Sequence, residues 1–166
     1  MVLKDAVTGK GPGAIIEPVT AKDFQVIKKS RDRFDKFEWS RYAEYEVYKI
    51  RLENDKTILG LMCLTEHTDK ATNAIEIELL EVASENIGNH KKLDNIAGCL
   101  IAYACRESFK RGYDGFVFLT PKTSLLKHYR TKYGFEHFAF STGQRPDGFM
   151  FLHDDSARKL IKKYLE

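Results

Sequence analysis

Apolar or small residues recur at positions 93, 96, 97, 100, 101, 104, 105, 108 and 109. This is the i, i+3, i+4, i+7 stripe of a helix with one buried face. It predicts a helix over 93–111. Asp94 or Asn95 can cap its start, Lys110 and Arg111 complement its negative end, and Gly112 can take the left-handed closing position. Upstream, Ala74-Ile-Glu-Ile-Glu-Leu-Leu-Glu-Val-Ala83 reads as a strand, and a long polar loop joins the two. A helix that follows a strand and loop in this way is a ready anion site, because its first amides have no partner. If the chain binds a phosphorylated ligand, it is expected there.

The remaining pattern is shorter in period. Residues 14–19 form a short strand. Thr20-Ala-Lys-Asp23 is a capping-box start for a helix over 21–30. Residues 31–41 set Phe34, Phe37 and Trp39 among charges, which suits an irregular piece packed over a cleft. Strands follow at 44–52 and 57–65, with turns at 53–56 and 67–73. Beyond the long helix come a buried strand (115–120), a helix (121–132), a hairpin (136–141 and 149–153) and a last helix (157–165) capped from Asp154-Asp-Ser156. Residues 1–12 read as a flexible leader and 13–166 as one domain. The order β-α-(α)-β-β-β-α-β-α-β-β-α indicates an α+β fold: a mixed, mostly antiparallel sheet flanked by helices.

The chain has 166 residues, 43% hydrophobic and 31% charged, enough for one sizeable core. Its formal charge of +3 suits an anionic small ligand and falls short of nucleic-acid binding. No apolar run reaches the length of a membrane span, and the N-terminus lacks the apolar core of a signal peptide. Cys63, Cys99 and Cys105 are odd in number and lack metal or disulfide spacing, so free buried thiols in a reducing, cytoplasmic setting are expected. The histidines His67, His90, His128, His137 and His153 are scattered, without metal-ligand spacing.

Two blocks carry a family resemblance. Val82 ends a strand, and Lys92-Leu93-Asp94-Asn95-Ile96-Ala97 then stands where a loop of the form Gln/Arg-x-x-Gly-x-Gly/Ala opens a helix. Lys92 replaces Gln/Arg, Asn95 the first Gly and Ala97 the second. Downstream, Phe116-Val-Phe-Leu119, then Lys122 or Thr123, then Tyr129 and Gly134-Phe135 form an apolar strand and a helix ending in Tyr…Gly-Phe. From about residue 14 to 140 the chain resembles the GNAT superfamily of N-acetyltransferases. The resemblance implies the GNAT-like acyl-CoA N-acyltransferase fold, acetyl-CoA as cosubstrate and an amine acceptor. It also implies pairing through the C-terminal strands as a route to a homodimer. Pantetheine would pair with backbone near Leu80 and Val82, and pyrophosphate would rest on amides around Asn95, Ile96, Ala97 and Gly98. His90, Lys91 and Lys92 could add charge. The sequence departs from the pattern in its longer loop with its own Gly88, and in Asn95, a residue that enters the left-handed region more easily than most.

Transfer to an amine needs a base for the ammonium and an acid for the leaving thiolate. Glu76, Glu78 and Glu81 lie on the organising strand. Glu76 and Glu78 share a face by alternation, and Glu81 changes phase if Leu79-Leu80 forms a bulge. Glu78 or Glu81 is the expected base; a solvated sheet face is the other reading of these carboxylates. Tyr129 is the acid that the resemblance implies, with a core aromatic as its other reading. Phe34, Phe37, Trp39 and Tyr42 either wall the acceptor site or form an ordinary aromatic cluster. The departures in the loop sustain two further readings: a catalytically inactive acyl-CoA-binding or protein-interaction module on the same fold, and an α+β domain with no coenzyme site.

Overall fold

The computed structural model describes residues 1, 3–69 and 73–166. Among them, strands β1 (Lys4–Asp5), β2 (Ala14–Pro18), β3 (Glu46–Leu52), β4 (Ile58–Thr68), β5 (Asn73–Val82), β6 (Leu93–Asp94), β7 (Val117–Leu119), β8 (Glu136–Phe138) and β9 (Phe149–Leu152) combine with four α-helices. These are α1 (Ala21–Lys29), α2 (Ile96–Lys110), α3 (Leu126–Tyr133) and α4 (Asp154–Tyr164). The main sheet runs β2-β3-β4-β5-β7-β9-β8, and β1 and β6 form a separate small pair. Every contact in the main sheet is antiparallel except β5 with β7. None of the helices in the described residues is long and apolar enough to cross a membrane.

Local chemistry explains most element ends. Thr20 and Asp23 close a reciprocal capping box, with the Asp23 amide donating to Thr20 Oγ1 (3.2 Å) and the Thr20 amide to Asp23 Oδ2 (2.9 Å). Helix α2 ends at Gly112, whose φ of +82° places it in the left-handed region. Several expectations shift. The helix expected over 93–111 runs Ile96–Lys110, because Leu93 and Asp94 pair with β1 as strand β6. Strand β4 continues through Thr68, which pairs with Asn73, so the 67–73 turn is shorter than expected, and residues 70–72 lie outside the described residues. The expected 121–132 helix divides into a 3₁₀ turn at Thr123–Leu125 and α3. The last helix begins at Asp154, and the His153 amide donates to Ser156 Oγ (3.1 Å), so capping starts one residue earlier than expected. The 1–12 segment carries β1, paired with β6, and its Leu3 is 1% exposed.

The sheet has two apolar faces. On one, Met62, Leu64, Ile75 and Ile77 pack with Cys99, Leu100, Ile101 and Cys105 of α2. On the other, Leu61 and Cys63 pack with Ile27, Phe34 and Trp39. All three cysteines are free and buried. Burial pushes the thiols up, Cys99 to about 11 and Cys63 and Cys105 to about 12, so they are unreactive as nucleophiles. Helix α4 crosses α2 at Gly98, where a Cβ would lie 2.4 Å from the Tyr164 ring.

That close approach makes Gly98 a packing position. Gly98→Ala should cost about 1–3 kcal/mol, the usual penalty for overpacking, read as a lower denaturation midpoint. An unchanged midpoint would show that Tyr164 moves aside freely.

Candidate active site

Strand β5 is built around an irregularity. Leu64 pairs with Ile77 but Cys63 pairs with Leu79, so Glu78 is an extra residue with no partner on β4. The bulge therefore sits one residue before the expected Leu79-Leu80. On its other side β5 meets β7 only at Ile75–Val117 and Glu76–Phe118. Beyond that point the two parallel strands part, and the edge of β5 from Ile77 to Val82 faces a gap. A bulge bends its strand and re-aims its side chains; here it shifts the alternation so that Leu80 and Val82 pack with the α2 core while Leu79 packs with the opposite cluster.

The gap holds a cavity of about 140 Å³. From β5 it is lined by Ile77, Glu78, Leu79 and Leu80. From β7 and the chain beyond come Leu119, Thr120, Pro121, Lys122, Leu125 and Tyr129, and from the early irregular segment Lys36 and Phe37. Glu78 is exposed there, and among the described residues its Oε2 accepts only from the Thr65 hydroxyl (3.3 Å). Tyr129 packs edge-on to Phe135 at 5.5 Å, and its hydroxyl makes no hydrogen bond among the described residues. Burial pushes the Tyr129 phenol above its ordinary value, so it keeps its proton through the neutral range.

The other two carboxylates of the strand are committed elsewhere. Glu81 is 2% exposed; its Oε1 accepts from the Trp39 indole N–H (2.8 Å) and its Oε2 from the Lys36 amide (3.0 Å). It pins residues 36–39 across the sheet. Glu76 is 7% exposed, accepting from Arg145 Nη1 (3.1 Å) and lying 2.9 Å from His67 Nε2.

A second cavity of about 190 Å³ lies at the start of α2. Asn95 takes the left-handed conformation (φ 73°, ψ 7°) at the N-cap. The Asn95 amide donates to Asp94 Oδ1 (2.8 Å), and the first helical bond is the Cys99 amide to the Asn95 carbonyl (2.9 Å). The amides of Ile96, Ala97 and Gly98 therefore have no carbonyl acceptor within the helix. The cavity is lined by Val82, Asn86, Gly88, Lys91, Asn95, Ile96, Ala97, His128, Lys132 and neighbours. Burial, then the Lys132 and Lys91 charges, push His128 below its ordinary value, which shows how closely the cations cluster. Burial tends to raise Asp94, but the Asn95 amide and Lys91 (3.2 Å) outweigh it and hold the carboxyl low. The cavity thus combines free amides, two lysines and a helix N-terminus, the chemistry that suits an anion.

The expected site residues separate accordingly. Glu78, Leu80 and Tyr129 meet in the first cavity, and Val82, Asn95, Ile96 and Ala97 in the second. Gly98 supplies an amide to the same helix turn while its Cα faces Tyr164. Lys92 is exposed and outside the cavity lining, its carbonyl accepting from the Ala6 amide (3.0 Å); Lys91 is the nearer charge. Of the four aromatics, Phe37 lines the first cavity, whereas Phe34 and Trp39 are core residues and Tyr42 packs on them. Sequence reasoning missed His128 and Lys132, whose i, i+4 spacing puts them on one face of α3, and it missed Lys36 and Lys122 at the first cavity.

No protein-family profile matches the chain, and no curated protein matches it in sequence. Solved structures match its fold. A putative GNAT-family acetyltransferase from Desulfovibrio desulfuricans is similar with a TM-score of 0.62 at 13% identity, over 85% of this chain and 99% of that one. The NatC complex bound to Gag peptide and CoA gives 0.58 at 15% identity, over 84% and 96%. AtaTR bound with AcCoA gives 0.58 at 13%, over 90% and 98%. The chain therefore has the GNAT fold that its sequence resembles.

The contrast between Glu81 and Glu78 is measurable in stability. Glu81→Ala strands the buried Trp39 N–H, at a cost of about 1–3 kcal/mol. Glu78→Ala, at an exposed bulge, should stay within about 0.5 kcal/mol. Equal losses in urea unfolding would contradict the division of roles.

Proposed function

We propose that the protein is an acetyl-CoA-dependent N-acetyltransferase that moves an acetyl group to an amine by direct attack in a ternary complex. One observation carries the reading: Glu78 and Tyr129 line a single cavity in the gap where β5 and β7 part. The GNAT fold adds to it, because similar structures include complexes with CoA and with AcCoA.

On this reading the free edge of β5 near Leu80 and Val82 holds the pantetheine arm by backbone hydrogen bonds. The amides of Ile96, Ala97 and Gly98, with Lys91 and Lys132, hold the pyrophosphate. Asn95 stands where the family has glycine, and its left-handed conformation meets the same backbone requirement. Glu78 is the base: its carboxylate is open to the cavity, and it takes the proton of the acceptor ammonium directly or through a water. The amine then attacks the thioester carbonyl, the C–S bond breaks, and Tyr129 gives its proton to the departing thiolate. Glu81 is a positioning residue, since both its oxygens are occupied in holding residues 36–39. The buried free thiols suit a reducing, cytoplasmic setting. Exposed Phe138 and Phe140 on and beside edge strand β8 give a surface through which two copies could pair.

The test separates binding from turnover. Acetyl-CoA and CoA should each raise the melting temperature of the wild type saturably, because a ligand of the folded state stabilises it by mass action; ATP should not. With an accepted amine, Glu78→Gln and Tyr129→Phe should each lower kcat by about 10²–10⁴-fold and keep the CoA-induced shift. A CoA shift with no transfer to any amine would instead favour the non-catalytic acyl-CoA-binding module. No shift at millimolar CoA would reject the coenzyme site altogether.

A further inference from the structure

We infer that the acceptor amine carries an anionic group a few bonds from its nitrogen: an aminocarboxylate, either free or at the start of a peptide with an acidic residue beside its amine. The inference rests on the acetyl-transfer reading and concerns only the acceptor side of that site.

The cavity between β5 and β7 carries more cations than acids in its lining. Lys36 and Lys122 both line it, from segments far apart in the chain. The Lys122 ammonium lies 5.9 Å from the Phe37 ring centroid, and Phe37 and Lys36 line the same cavity. Several other cations around this sheet are matched by acids. Lys49 meets Glu17 and Asp23, Arg33 meets Glu85, Arg51 meets Glu17, Arg111 meets Glu46, Glu66 and Glu107, and Arg145 meets Glu76. Lys36 and Lys122 have no such partner among the described residues.

The nearby acids do not fill the gap. Glu81 is spent on the Lys36 amide and Trp39, and Glu76 on Arg145 and His67. Asp147 meets the Thr123 hydroxyl outside the lining. Of the acids that line the cavity, Glu78 alone remains, and its task is the acceptor ammonium. Once that ammonium pairs with Glu78, both lysines are still unmatched beside it. A carboxylate on the acceptor completes the set. A second cation on the acceptor, as in a polyamine, would lie against two like charges. The coenzyme does not supply the missing anion, because its phosphates are assigned to the other cavity, where Lys91, His128 and Lys132 stand.

Geometry supports the same placement. The Glu81 anchor fixes the backbone of Lys36, while its side chain is exposed and free to reach. Lys122 is likewise exposed, at the position just before the 3₁₀ turn. Long lysine stems can follow an anion at the cavity mouth without a rigid fork. A volume of about 140 Å³ admits the reacting end of an acceptor only, so the anion belongs at the mouth, where the ammonium groups are.

The test uses the full chain saturated with CoA, a dead-end complex in which acceptor affinity is read by calorimetry without turnover. The probes are free glutamate, an Asp-Ala dipeptide, the neutral Asn-Ala amide and spermidine. An anionic amine should bind about tenfold more tightly than the neutral amide. Preference for glutamate or for the dipeptide identifies the free or the peptidic source. Lys36→Gln with Lys122→Gln should abolish the preference while the CoA-induced thermal shift persists. Equal or tighter binding of the neutral amide or spermidine would overturn the inference, as would a preference that survives the double substitution. The acetyl-transfer reading fails by a separate sign, the absence of any acetyl-CoA shift in the wild type, and its failure would overturn this inference as well.

Discussion

Strand β5 keeps its partner on one side and loses it on the other. It is paired with β4 along its whole length, from Asn73 to Val82, but with β7 only through Ile75 and Glu76. Backbone groups that lose their strand partner must bond elsewhere, so this parting creates an unpaired edge where water or a ligand can supply the missing hydrogen bonds. The extra residue at Glu78 is the local reason for the bend. Glu78 at the bulge and Leu80 and Val82 beyond it lie along that edge, Tyr129 lines the same gap from α3, and the left-handed Asn95 stands at the start of α2.

The parting needs support from both sides. On the α2 side, Gly98 lets α4 approach through Tyr164 and so sets the position of the helix that offers its amides. On the opposite side, Glu81 holds Trp39 and the Lys36 amide, closing the early irregular segment over the strand. One carboxylate of β5 is thus structural while its neighbour three residues earlier is free. Environment, not residue type, divides their roles, as it does wherever two carboxylates of one site differ in burial and partners. Charge is divided in the same way. The Lys91, His128 and Lys132 group stands at the start of α2, and Lys36 and Lys122 stand at the gap.

Much of this was legible in the sequence, because it depends on local periodicity. The stripe from Leu93 to Phe109, the Thr20–Asp23 capping box, the left-handed Gly112 and the strand carrying three glutamates are all short-range features. The resemblance to GNAT proteins rested on the two blocks around Asn95 and Tyr129, and the fold agrees. What could not be read depends on distant segments meeting. Nothing local says that Glu81 will reach Trp39, or that Lys36 and Lys122, 86 positions apart, will line one cavity. His128 is one of five scattered histidines in the sequence, yet it lines the cavity at the start of α2. The bulge was expected one residue late, because alternation shows that a phase change occurs but not which residue is left unpaired.

The central claim is that the open edge of β5 and the start of α2 form one coenzyme site. Backbone amide chemical shifts followed during a titration with CoA test it most directly. The account predicts that the largest perturbations fall on Leu80, Val82 and Asn95 through Gly98, and that they saturate together with one dissociation constant. Perturbations confined to other surfaces, or two groups saturating independently, would contradict it.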